Sequence, residues 1–213
     1  MKKAIIFAIA ATAFTTPALA EPFSGFHAGI EAGHDAYEVK AEDVLIAGPD
    51  FTVSADGLSG NGLVGGVFAG YDFALTNSFF AGVEASINTS GAKISASATD
   101  GVDSISAAVK ARESFGLSAR LGGMLNDSTG LYARLGWAKT KFKVEFDGTT
   151  IGHDHQDAFQ YGAGIETRIG DHASLRVEYT RLDYGSAGLN ALFGVSGIHV
   201  NNDQVRAGAS YRF

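Results

Sequence analysis

His153, Asp154, His155 and Asp157 form the densest set of metal-ligating side chains in the chain. Imidazole and carboxylate can hold zinc, but a structural site needs about four well-placed ligands on a rigid frame. Gly152 and Gln156 interrupt this set in a segment between strand-like runs, so a solvated tip is expected and no metal is assigned. His34 and His199 add two more titratable rings, and serines are plentiful. Nucleophilic catalysis requires a hydroxyl held beside a base that is itself oriented. No spacing here fixes such a pair, so no catalytic residue, no cofactor and no enzymatic activity are expected. The charged residues that repeat with a period of two are more informative. Glu31, Asp72, Glu84, Arg112, Arg120, Arg134, Glu166, Arg168, Arg176, Glu178, Arg206 and Arg212 all fall on one parity of alternating segments. The chemistry they offer is ion pairing, because the planar guanidinium fork grips carboxylates and is weakly hydrated.

Eight alternating segments carry these residues. They centre on 23–33, 62–74, 79–87, 115–125, 131–137, 159–169, 175–179 and 205–213. In each, the parity opposite the charges is almost entirely Ala, Val, Leu, Ile, Gly or aromatic, as in Leu131, Ala133, Leu135 and Trp137. Strict alternation describes a strand with two chemically different faces. The last strand ends on Phe213, with Tyr211 on the same face. Connections of four to five residues (around 75–78, 126–130 and 170–174) alternate with connections of roughly fifteen to thirty. Short turns on one side and long loops on the other, with an even strand number, are the pattern of an outer-membrane barrel. The expected fold is all-β: an eight-stranded antiparallel up-and-down transmembrane β-barrel with short periplasmic turns and four long extracellular loops.

The orientation of the wall follows from cost. A charge on the lipid face costs about 2–4 kcal/mol at the bilayer midplane, so the charged parity must face the lumen. Of the eight arginines, only Arg181 departs from that parity, whereas Lys40, Lys93, Lys110, Lys139, Lys141 and Lys143 lie in or beside the long connections. An eight-stranded lumen is just wide enough for side chains to fill it. Glycines such as Gly29, Gly66, Gly122, Gly164 and Gly208 share the lumenal parity and leave room for long arginines and for Tyr132.

The chain begins Met1-Lys2-Lys3, continues with an apolar run from Ala4 to Phe14 and reaches Ala18-Leu19-Ala20. That is the layout of a secretory signal, expected at 1–20, leaving 21–213 as the barrel domain. Without Lys2 and Lys3, 14 basic residues face 23 acidic ones, a net charge of −9. Nucleic acid needs a basic footprint and is not an expected partner. Cysteine is absent, so disulfides do not brace the sheet.

The connections carry weaker signals. The first (34–61) is rich in Asp and Glu, including Asp35 and Glu38, and reads as a solvated acidic loop. Asp100-Gly101 and Asp147-Gly148 suggest hairpins projecting above the membrane. The fourth contains Leu189, Leu192, Phe193 and Val195, an apolar set suited to packing on neighbouring hairpins or rim lipid, or to contacting a partner.

Gly65-Gly66-Val67-Phe68-Ala69-Gly70-Tyr71-Asp72, Ala81-Gly82-Val83-Glu84, Gly162-Ala163-Gly164-Ile165-Glu166, Leu175-Arg176-Val177-Glu178-Tyr179 and the closing Tyr211-Arg212-Phe213 resemble the OmpA-like eight-stranded outer-membrane barrels, and more closely the small porin-like surface proteins of alphaproteobacteria. The resemblance covers the strands and not the loops, and no peptidoglycan-binding segment accompanies them. It implies a Gram-negative outer-membrane location in contact with lipid and lipopolysaccharide, and recognition of Phe213 and Tyr211 by the barrel-assembly machinery. The primary expectation is a monomeric envelope protein that interacts through its loops, possible extracellular protein partners included. A narrow porin and an adhesin or phage receptor remain as alternatives.

Overall fold

A computed structural model describes residues 23–41, 44–45, 52–53, 56–99, 104–146, 149–185 and 198–213. The expected export signal, the turns at Asp100-Gly101 and Asp147-Gly148, and the apolar part of the fourth connection lie outside the described residues.

Eight long strands form the wall: β1 (Gly25–Ala41), β2 (Asp56–Ala74), β3 (Phe79–Ser90), β4 (Ser104–Met124), β5 (Thr129–Phe146), β6 (Thr149–Ile169), β7 (Ala173–Asp183) and β8 (Ile198–Arg212). Each pairs antiparallel with its neighbour in sequence, and β1 closes the cylinder by pairing with both β2 and β8. Ile30, for example, stands opposite Val67 on one side and Ala209 on the other. Closure removes the free edge that an open sheet would present to lipid, where unpaired backbone is not tolerated. Lys93–Thr99 prolongs the line of β3 beyond a break at Gly91 and Ala92, pairing with β4 and, through Lys93, with Asn61 of β2. A small separate ladder joins Val44–Leu45 to Thr52–Val53.

The three tight turns are held by local chemistry. The Thr76 hydroxyl accepts from the backbone N–H groups of Ser78 (3.2 Å) and Phe79 (3.1 Å). The Asn126 side chain does the same for Ser128 (3.0 Å) and Thr129 (2.8 Å). In the third, Gly170 sits at φ 71°, a left-handed conformation that glycine adopts freely.

Along the middle of every strand the apolar parity points outward. Ile30, Leu63, Val67, Val83, Leu121, Leu135, Ile165 and Val177 are all exposed on the cylinder wall. Two aromatic belts bound this zone. Phe26, Tyr71, Phe73, Phe79, Tyr211 and Phe213 surround the end carrying the short turns; Phe115, Trp137, Phe159 and Tyr161 mark the other. From Leu63 to Phe73 the wall spans about 25 Å once strand tilt is allowed for, the height of an outer-membrane apolar band.

The strands run farther than their apolar alternation. β1 continues to Ala41 and β2 begins at Asp56, so much of the acidic connection expected over 34–61 is paired sheet. Asp35 is fully buried and accepts a hydrogen bond from the Ser90 hydroxyl at 2.6 Å, which corrects the reading of a wholly solvated loop. Likewise β5 reaches Phe146 and β6 starts at Thr149, so the expected third loop is a hairpin whose arms are ladder. The reason lies in the surroundings. Above the membrane the outer face meets water, and polarity reverses. On β5, Leu135 and Trp137 point out with Arg134 inside; two pleats on, Lys139 and Lys141 point out with Ala138 and Phe142 inside.

Candidate functional site

The enclosed lumen holds nearly all the residues singled out by sequence, and it is layered. At the short-turn end Phe23 and Phe80 are fully buried, with ring centroids 5.3 Å apart in edge-to-face contact, and Tyr132 packs with them. Arg168 and Arg212 stack over the Phe23 ring, their guanidinium carbons 4.8 and 5.0 Å from its centroid. Cations over an aromatic face are attracted by the ring quadrupole, so this end is closed by an aromatic plug with a cationic collar.

The next layer is a compact four-charge cluster. Arg120 grips Asp72 with two parallel bonds, Nε to Oδ1 at 2.7 Å and Nη2 to Oδ2 at 2.5 Å, and donates Nη1 to Glu166 at 2.8 Å. Arg212 reaches the same two acids, at 2.9 Å from Asp72 and 3.3 Å from Glu166. His27, fully buried, lies 3.3 Å from Asp72 and 3.4 Å from Glu84, linking this cluster to the one above.

Above it the charges close into a ring. Glu178 accepts from Arg206 (2.7 Å), Arg206 reaches Glu31 (2.6 Å), and Glu31 accepts from Arg176 (2.6 Å). Arg176 then donates to Glu84 (2.6 Å), Glu84 lies 3.4 Å from Arg134, and Arg134 returns to Glu178 at 2.6 Å. Three arginines and three glutamates thus alternate around the lumen with no net charge. Remaining valences are filled by Tyr132 and Thr180, which each donate a hydroxyl to Glu178 at 2.9 Å, and by Ser118, which accepts from Arg134 at 2.6 Å. The Arg176 guanidinium carbon also stands over Phe68, 3.4 Å from the ring centroid. A buried charge is tolerable only when paired and hydrogen-bonded, and here the pairing is all but complete.

The outer end carries a second apolar seal. Tyr37, Ala92, Ala111, Ala138, Phe142, Ala158, Leu182, Tyr184 and Val200 form one buried cluster across the mouth. Phe142 meets Tyr37 and Tyr184 edge-on at 6.1 and 5.4 Å, and the Tyr184 hydroxyl is 2.9 Å from that of Thr140.

Ten of the twelve charged residues singled out therefore meet in the two ionic layers, and Arg168 joins the plug. Arg112 does not: it is exposed. A bulge between Ala111 and Ser114 places both Arg112 and Glu113 opposite the single residue Lys141. Counting by parity through that extra residue puts Arg112 on the wrong face, and the lumenal balance becomes five arginines to five acids in the ionic layers. Sequence reasoning missed His27, Phe23, Phe68 and Phe80 as lumenal groups, although His27, Phe68 and Phe80 sit on the lumenal parity.

The glycines act as sockets. A Cβ at Gly164 would lie 2.5 Å from the Tyr132 ring, and one at Gly122 would strike the Phe80 ring. Gly208 similarly faces Arg176. The His153–Asp157 set lies on β6 and not in a loop. His153, His155 and Asp157 are exposed, whereas Asp154 is half-buried and satisfied by the His155 N–H (2.8 Å) and the Gln156 amide (2.5 Å). Among the described residues no group of three or more His, Asp or Glu is placed to hold a metal. At the terminus the Phe213 N–H donates to the Phe26 carbonyl at 2.9 Å, while its ring, 72% exposed, packs on Tyr211 and Phe26 at 4.9 and 5.4 Å.

Comparison with known proteins agrees with this geometry. The chain is 28% identical over 249 residues to the 31 kDa outer-membrane immunogenic protein of Brucella melitensis, and equally to that of Brucella suis, covering 99% of this chain and 100% of each relative. Among solved structures, outer membrane protein OprG of Pseudomonas aeruginosa superposes with a TM-score of 0.51 at 15% identity, over 92% of this chain and 98% of that one. Neisserial surface protein A gives 0.50 at 17% identity, over 89% and 98%. These two likenesses concern the fold. Residues 6–213 match the outer membrane protein beta-barrel domain family, and with its inverted polarity, twin aromatic belts and closed eight-stranded wall the chain belongs to that family as an integral protein of the Gram-negative outer membrane.

Proposed function

We propose that this protein is a sealed, non-enzymatic envelope barrel whose outer extension displays hairpin surfaces to the cell exterior. The observation that carries this reading is the lumen itself. An aromatic plug, a neutral ion-pair ring and an apolar lid lie in series among the described residues, and this layering supports a lumen closed to solutes. The narrow-pore alternative has all three layers against it. Surface display is supported by paired strands that rise well beyond the outer aromatic belt, and by a relative named for its immunogenicity. Residues 1–20 act as an export signal in this reading, and Phe213 with Tyr211 on the lipid-facing edge serves barrel assembly. Lipid and lipopolysaccharide surround a monomer, since the sheet closes on itself without a second copy. Single-channel recording in planar bilayers tests the seal. The folded monomer is expected to give no steady conductance steps, and large reproducible steps would overturn the proposal. Removing residues 95–106 is expected to abolish binding to a surface partner while the barrel keeps its heat-sensitive gel mobility.

A further inference from the structure

We infer that the outer wall carries a specific seat for a phosphorylated glycolipid of the outer leaflet, where β4, β5 and β6 meet the upper aromatic belt. The wall is not smooth there. A cavity of about 280 Å³ opens outward, floored by Phe115 and Trp137 and rimmed by Lys139, Lys141, His155 and Glu113. The β4 bulge shapes it, because Arg112 and Glu113 together oppose Lys141 and swing to the exterior.

Its height and charge select the occupant. Phe115 and Trp137, in edge contact at 6.4 Å, belong to the belt that marks the membrane boundary, so the floor contacts acyl chains. Lys139 and Lys141 stand one and two pleats above Trp137 on the same outward parity, and His155 is in register with Lys141 on β6. The ammonium groups therefore lie at the depth of the headgroup phosphates. Lys139 is only loosely engaged, 3.7 Å from Asp157 with the two side chains about half exposed, and it also lies 5.9 Å from the Trp137 centroid. Lys139, Lys141 and Arg112 outnumber Glu113 and Asp157, so the local charge is positive on a chain whose net charge is negative. Residues 139 and 141 are about 7 Å apart along the strand, so both ammonium groups can converge on one phosphate-bearing headgroup. The wall at this level faces the outer leaflet, whose lipid is a phosphorylated, multiply acylated glycolipid.

The only tryptophan of the chain is Trp137, so its fluorescence reports on the seat directly. Folded protein in neutral detergent is titrated with bisphosphorylated lipid A, phosphate-free lipid A, phosphatidylglycerol and inorganic phosphate. A saturable change is expected for bisphosphorylated lipid A, with much weaker responses to the other three. Lys139→Gln with Lys141→Gln is expected to weaken it about thirtyfold, on the order of fivefold per ammonium, and Lys139→Arg with Lys141→Arg to retain it. Unchanged affinity in the glutamine pair, equal affinity for phosphate-free lipid A, or saturation by inorganic phosphate would overturn the seat. Equal affinity for phosphatidylglycerol would overturn its assignment to glycolipid. Gel mobility without heating confirms that each variant is folded, and conductance reads the lumenal seal separately, so either reading can fail alone.

Discussion

Glu178 is the most connected acid of the lumenal ring, which makes Glu178→Gln a sharp probe of whether that ring is dry. The substitution keeps the shape and removes one negative charge. Arg134 and Arg206, bound to the carboxylate at 2.6 and 2.7 Å, then share an excess positive charge in a layer where every side chain is at most 3% exposed. One amide N–H also points at donors, since Tyr132 and Thr180 both give their hydroxyl hydrogens to Glu178. Breaking one side of a buried pair costs about 3–5 kcal/mol, and that loss is expected in urea unfolding from lipid vesicles followed by Trp137 emission. The outward pair Arg181–Asp203, 3.4 Å apart and 28% and 34% exposed, supplies the contrast. Arg181→Gln is expected to cost at most about 1 kcal/mol. Replacing Glu178 and Arg206 together by Met removes one charge of each sign and leaves Glu31 with Arg176 and Arg134 with Glu84. That double variant is expected to lose less than Glu178→Gln, because it leaves no uncompensated charge. A loss below about 1 kcal/mol for Glu178→Gln would mean that water screens the ring, and the sealed lumen would be refuted.

Gly164→Ala drives a methyl into the Tyr132 ring and is expected to cost about 1–3 kcal/mol by overpacking, measured by the same unfolding assay; Gly152→Ala, with open space around it, is expected to be neutral. Arg120→Gln is expected to destabilise by several kcal/mol because Asp72 and Glu166 lose the nearer of the two arginines they share and keep only Arg212, whereas Arg112→Gln leaves the midpoint unchanged; equal effects would return Arg112 to the lumen. Phe213→Ala is expected to lower the amount of folded barrel reaching the membrane in cells, read as the fraction migrating fast on unheated gels, while spontaneous refolding in detergent proceeds; equal losses in both would make the role one of stability alone.

The membrane-embedded part of the barrel was legible from sequence because lipid enforces a simple rule. Any strand residue facing acyl chains must be apolar, so the charged parity of β5 or β7 identifies the lumen without further information. The rule lapses where the solvent changes. Above the belt, Tyr37, Phe142 and Leu182 turn inward while Lys139, Lys141 and Asp183 turn out, which reverses the pattern within a single strand and blurs the alternation. Asp35 was hidden for the same reason: it lies next to that crossover, where an acid can be lumenal or solvated. Arg112 was misplaced by a different cause. A bulge inserts one residue and flips parity, and no glycine or proline announces it. The partners within the ring were also beyond sequence, since Arg176 with Glu31 and Arg206 with Glu31 pair across separations set by strand tilt and closure and not by spacing along the chain.

The ring settles which face of each strand points inward, more than it holds the barrel together by attraction. Sliding one strand by a single residue exchanges its two faces. If all strands were inverted, the five arginines of the ionic layers alone would meet lipid at a cost on the order of 10–20 kcal/mol, as large as the whole stability of an ordinary domain. An apolar lumen would carry no such penalty, because aliphatic side chains are accepted on either face. Pairing with Glu31, Asp72, Glu84, Glu166 and Glu178 makes the inward arrangement tolerable, and the lipid makes the outward one prohibitive. The sockets then select among the inward arrangements. Tyr132 fits over Gly164 and Phe80 over Gly122, and a two-residue slip, which restores the faces, would set these rings against side chains that fill the space. Charge therefore fixes the face and glycine fixes the register, so a lumen rebuilt from aliphatic residues would lose the first constraint even where it kept the stability.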